Sequence, residues 1–163
     1  DSAYALARAG DAARAESMAA DIAKEHPSHT LANGFDLPVI RATIEIGRNN
    51  SAKAVDILQP VEPYDLANGR AMLSTYQRGR AYLALHKGAE AAAEFQKIVD
   101  HPGVVVNLIT GALAKLGLAR AYAVEGDAAK ARMAYQDFFA LWKDADPGVP
   151  ILVAAKSEYA KLQ

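Results

Sequence analysis

No cysteine occurs among the 163 residues, so disulfides and thiolate metal sites are excluded and the redox compartment stays open. Aromatic residues are scarce at 7%, with a single tryptophan. Charge of one sign is not in excess: 18 basic residues stand against 19 acidic ones, a net charge of −1. That balance gives no electrostatic reason to expect a nucleic acid or an anionic membrane as partner. No apolar run approaches the roughly 18–20 residues of a membrane span, and the opening residues lack the charged and apolar regions of a signal peptide. The chain opens at Asp1, without methionine and partway through a repeat, which predicts a piece of a longer protein. Motifs of chemistry are missing too. There is no Gly-x-Ser-x-Gly elbow, no phosphate-binding loop and no protein-kinase signature, so this segment is not expected to be an enzyme. His26 and His29 are the nearest thing to a ligand pair, but no third ligand follows at a zinc spacing. Asp144 and Asp146 do not form a calcium loop. No metal or cofactor is expected.

What is abundant is alanine. The 52% hydrophobic content is alanine-heavy, and the high helix propensity and small size of alanine predict an all-α chain of closely packed helices. Ala15, Ala54, Ala91 and Ala131 recur 39, 37 and 40 residues apart. The segments 79–98 and 119–138 align without a gap and share six of twenty residues: Arg80/Arg120, Ala81/Ala121, Tyr82/Tyr122, Ala89/Ala129, Ala91/Ala131 and Gln96/Gln136. Self-similarity at this period is the mark of a helical solenoid. Segments 3–22 and 42–61 extend the alignment. One column reads Ala3, Ala42, Gly79, Ala119; another reads Ala19, Leu58, Phe95, Tyr135, filling the gap to the partner helix. A third reads Leu6, Glu45, Tyr82, Tyr122, where Glu45 breaks the pattern and Ile44 or Ile46 is expected to take the buried role.

Turn chemistry falls between the helices of each pair. Gly10-Asp11 and Gly126-Asp127 supply a glycine C-cap followed by an aspartate N-cap. Asn49-Asn50-Ser51 does the same, and His86-Lys87-Gly88 does so less ideally. Pro27, Pro60, Pro102 and Pro147 each follow a second helix, which proline cannot continue. Nine helices are predicted, at about 2–9, 12–26, 36–48, 51–59, 70–86, 88–100, 107–125, 128–143 and 149–162. They group into one domain over 1–163, with repeats at about 1–30, 31–68, 69–106 and 107–147 and a capping helix at 149–162. That last helix carries Ile151, Leu152, Ala155, Tyr159 and Leu162 at helical spacing, with Lys156, Ser157 and Lys161 opposite.

A small residue, a tyrosine three positions on, Gly-Asp, alanine and then an aromatic four further resembles the tetratricopeptide repeat. Ala119, Tyr122, Gly126, Ala131 and Tyr135 carry the resemblance in one unit, and Gly79, Tyr82, Ala91 and Phe95 in the preceding one. The usual period of that family is 34, so the connections at 60–69 and 101–106 are elaborated. The consensus tryptophan is absent; Trp142 lies at the end of a second helix instead. The resemblance implies a right-handed solenoid of about four helix pairs, the first truncated, plus the capping helix. Segment 78–163 is similar, more narrowly, to the repeat region that follows the catalytic domain in acidobacterial eukaryotic-like serine/threonine kinases, or a winged-helix domain in related regulators. It implies the interaction or sensor arm of a larger bacterial signalling protein. An upstream kinase domain and membrane span would place that arm outside the cytoplasm.

In this repeat family the first helix of each pair lines the concave surface. On that register Leu73, Tyr76, Arg80, Leu83 and Ala84 face the groove from one repeat. Leu113, Leu116, Arg120, Ala123 and Val124 face it from the next. Arg80 and Arg120 then sit roughly 10 Å apart on neighbouring helices, where two planar forks can clamp a carboxylate or phosphate. The alternative is that each pairs with a nearby Glu or Asp. The segment 101–110 is apolar for a connection; Asn107 or Thr110 is expected to cap the next helix. Val104 to Val106 then either pack across the junction or expose a contact site. A protein or peptide partner is expected, with self-association through an open apolar end, or a small anionic ligand, as alternatives.

Overall fold

The structure, a computed structural model, describes residues 2–66 and 69–162, and these contain helices and no strand. In chain order the helices are α1 (Ser2–Ala9), α2 (Ala12–Glu25), α3 (Leu37–Gly47), α4 (Ser51–Leu58), α5 (Leu73–Ala84), α6 (Gly88–Asp100), α7 (Pro102–Val105), α8 (Ile109–Glu125), α9 (Ala128–Leu141) and α10 (Pro150–Ala160). Each of the nine expected helices has a counterpart. The expected boundary at 68/69 falls in part on Ala67 and Asn68, which lie outside the described residues.

Neighbours in the chain are neighbours in space. α1 packs on α2, α3 on α4, α5 on α6 and α8 on α9. Each first helix also meets the next (α1 with α3, α3 with α5, α5 with α8), and α2, α4 and α6 lean on the first helix that follows them. The four spaced alanines are fully buried at these crossings, as are Ala19, Leu58, Phe95 and Tyr135 one turn on.

The turn inside each pair is built the same way four times. Gly10, Asn49, His86 and Gly126 take the left-handed conformation, with φ of 87°, 62°, 56° and 81°. The next residue's N–H then reaches back to a carbonyl five residues earlier: Asp11 to Leu6 (3.0 Å), Asn50 to Glu45 (2.8 Å), Lys87 to Tyr82 (2.9 Å) and Asp127 to Tyr122 (2.9 Å). This closure satisfies carbonyls left open at the helix end. Asp11 and Asp127 then cap the following helix by accepting from the N–H of Arg14 and Lys130. Gly88 is needed for another reason. A Cβ there would lie 2.8 Å from the Ala121 carbonyl oxygen, because the start of α6 approaches the α8 backbone closely.

Four expectations are corrected. Ile44 is buried as expected, but Glu45 is buried beside it, and its carboxylate accepts from Asn50 (3.0 Å) and Lys53 (3.2 Å). Pro60 does not end the chain's helical course. A 3-10 turn, Gln59–Tyr64, continues directly from α4 with Pro60 in its first turn, where a missing N–H leaves no bond unmade. α5 starts three residues late, since Ala71 and Met72 both have positive φ. Neither Asn107 nor Thr110 caps α8: the N-cap is Leu108, Asn107 is exposed, and Thr110 is buried inside the helix.

Candidate functional site

An open cleft of about 340 Å³ lies between the first helices α3, α5 and α8. Its walls include Tyr76, Arg80, Leu83 and Ala84 of α5 with Leu113, Leu116 and Arg120 of α8. These residues fall together because α5 and α8 present equivalent turns to one side. Ile46 of α3, Phe95 of α6 and Gly117 complete the wall, three residues that were not expected to face the groove. Three expected members lie elsewhere. Leu73 lines a different cavity of about 290 Å³, with Tyr4, Phe35 and Arg70. Val124 is 41% exposed at the far end of α8, and neither it nor the half-buried Ala123 is part of the wall.

The two arginines, equivalent in sequence, differ in what answers their charge. Arg120 grips Glu158 of α10 with one edge of its guanidinium, Nε to Oε2 at 2.8 Å and Nη2 to Oε1 at 3.0 Å. Tyr135 donates its hydroxyl proton to the same carboxylate at 2.8 Å. Burial, and then the hydrogen bond to Glu158, push the Tyr135 phenol up. Burial alone would raise the Glu158 carboxyl, but the Arg120 and Tyr135 bonds outweigh it and hold the group below the ordinary glutamate value. A carboxylate with a depressed folded pKa stabilises above the unfolded value and loses that contribution as pH falls through the folded one. The amide signals of α10 are therefore expected to keep their docked positions through the ordinary glutamate range and to change below it. In Glu158→Gln that acid step should vanish; the same step in both proteins would show that another group controls it.

Arg80 has no such carboxylate. Among the described residues no Asp or Glu lies within 4 Å of it; its Nη1 donates to Gln77 Oε1 at 2.8 Å. Gln77, fully buried, donates in turn to the Tyr4 hydroxyl at 2.6 Å, joining α5 to α1 across 73 residues of sequence. No spacing rule announced that contact. A second polar cluster went equally unannounced. Arg78, 2% exposed, is bonded to Asp65 and to Glu94 (3.0 Å), while Ser74 donates to Asp65 (2.7 Å) and Lys97 to Glu94 (2.9 Å). This cluster ties the 3-10 region to α5 and α6.

The histidine pair has a local role: His29 Nδ1 accepts from the Ala32 N–H at 3.1 Å at the start of the next helical turn. Among the described residues no three His, Asp or Glu side chains gather as a metal site, and no helix is long and apolar enough to cross a membrane. The α1–α2 end exposes no large apolar side chain among the described residues. Exposed ones gather instead at Val106, Leu108 and Ile109 (72%, 52% and 60%), while Val105 is buried. No protein-family model, no curated protein and no solved structure matches the chain.

Proposed function

We propose that this chain is an irregular, right-handed tetratricopeptide-type solenoid that binds a peptide or protein segment along its first helices. It serves as the interaction or sensor arm of a larger signalling protein. The nearest-neighbour packing of the helix pairs supports the architecture, as repeat proteins contact only adjacent units. One observation carries the binding role: the α3–α5–α8 cavity combines an apolar wall of Leu83, Leu113 and Leu116 with a cation, Arg80, that no carboxylate neutralises among the described residues. Apolar walls with a few placed polar groups are what binding clefts consist of.

A displayed library of random peptides tests the role. Enriched peptides are expected to compete for one site and to lose binding to a Leu83→Glu, Leu113→Glu variant whose helicity by circular dichroism matches the parent. Both leucines are only partly buried, so the substitutions reach the groove without entering the core. Peptides that bind the variant as well as the parent would overturn the role.

A further inference from the structure

Most of the N–H donors of Arg80 have no side-chain acceptor among the described residues. Arginine carries five N–H donors, and among the described residues the only side-chain acceptor bonded to Arg80 is Gln77. The Tyr4 hydroxyl accepts from Gln77 Nε2, which leaves its own proton free, with no acceptor among the described residues. The buried amide is thereby oriented by both partners, its oxygen on Arg80 and its nitrogen on Tyr4. Arg8 lies one turn beyond Tyr4 on α1, the spacing that puts two side chains on one helix face. It is exposed and has no Asp or Glu within 4 Å among the described residues. Burial first, then the positive charge of Arg8 and, more weakly, that of Arg120 lower the pKa of Arg80, so like charges repel it. At the equivalent place on α3, Thr43 is buried and turns its hydroxyl back onto the Val39 carbonyl at 2.8 Å. Thr43 therefore adds no hydroxyl to Tyr4 or Arg80.

We propose that Tyr4, Arg8 and Arg80 form an oxyanion site spanning α1 and α5, which takes a carboxylate or phosphate group borne by the bound peptide. It rests on the peptide-binding reading above, and it differs from the pair that sequence equivalence suggests. Arg120 is not part of it, because Glu158 already answers its charge and occupies its Nε–Nη2 edge. The site is two-sided: Arg80 presents its fork from one helix, while Tyr4 and Arg8 supply a neutral donor and a second cation from the other. An oxyanion placed there accepts bonds from both and removes the repulsion between the arginines.

Arginine Nε–H signals from isotope-labelled protein, titrated with inorganic phosphate and separately with acetate, test the site. Saturable shifts are expected at Arg80 and Arg8 and not at Arg120. Arg80→Gln should weaken binding about tenfold or more, the loss of one charge-assisted bond. Tyr4→Phe should weaken it several-fold while the rest of the spectrum stays in place, and Arg80→Lys should also weaken it, since it keeps the charge but loses the fork. Tighter binding of phosphate assigns the site to a phosphorylated residue; tighter binding of acetate assigns it to an acidic side chain or chain end. No saturable shift with either probe, or equal shifts in Arg80→Gln, overturns the site. Phosphate or acetate bound at Arg80 without any peptide enriched from the library would leave the site standing and remove the peptide role. Peptides enriched without an anion at Arg80 would do the reverse.

Discussion

Phe95→Ala is expected to lower the free energy of unfolding by about 3–5 kcal/mol, near the upper end for a core truncation. The ring sits between two glycines on different helices. A Cβ at Gly79 of α5 would lie 2.8 Å from it, and one at Gly117 of α8 would lie 2.6 Å from it. Tyr76 closes the pocket edge-on, at a centroid distance of 5.8 Å. The same geometry decides the sign for Gly117→Ala. Helix propensity favours that change by about 1 kcal/mol, whereas forcing a methyl group against a ring held on all sides costs about 1–3 kcal/mol. Net destabilisation is expected. In a Phe95→Leu background the clash is relieved, so the two changes should not add. Urea unfolding of the two single variants and the double variant measures the coupling; a stabilised Gly117→Ala, or strict additivity, would show that the ring does not wedge the helices.

Arg78→Ala is the second large effect, a loss of about 3–5 kcal/mol, as found when one partner of a buried ion pair is removed. Asp65 and Glu94 are each less than 10% exposed, and without the guanidinium they would be left buried against each other. Lys97 still reaches Glu94, so Asp65 is the group left without a cation. Converting the cluster to apolar residues, with Arg78→Met, Asp65→Leu and Glu94→Leu together, is expected to recover most of the loss, because the pair repays its desolvation only poorly. Equilibrium denaturation of the single and triple variants checks both. A mild Arg78→Ala, close to the range of a surface substitution, would mean that water enters the cluster.

The alanine columns, the caps and the C-terminal amphipathic helix were legible because each depends on residues close in sequence. Leu152 and Ala155 are buried and Lys156, Ser157 and Lys161 exposed, as the spacing required. Arg78 shows where local pattern stops. It stands two residues before Arg80 on the same helix, so the two point in different directions, and composition alone reads both as surface charges. Only the placement of Asp65 and Glu94 makes one a buried anchor and leaves the other facing the groove. Glu158 was hidden for a related reason. It follows the exposed Lys156 and Ser157, and its meaning comes from Arg120, 38 residues away. Between packing and exposure for Val104 to Val106 the backbone decides: Val105 is buried and Val106 exposed, with φ of 50° in a β-branched residue, a strained state that no turn rule assigns to valine.

The apolar interior is not continuous along the chain. One cluster of buried residues holds α1 to α3 together, mostly through alanines and three α3 aliphatics; a second joins α3 to α5; a third, rich in aromatics, unites α5 through α10. Between them α5 carries buried Ser74, Thr75, Gln77 and Arg78. A chain partitioned in this way opens in stages, with amide exchange at α1 and α2 running ahead of α6 and α8. Tyr4 stands on α1, where exchange is expected to be fast, and Arg80 on α5, whose residues enter the second and third clusters. An anion bridging them lends the protection of one to the other, so the clearest record of binding lies in slowed exchange at the N-terminal helices, away from the cavity itself.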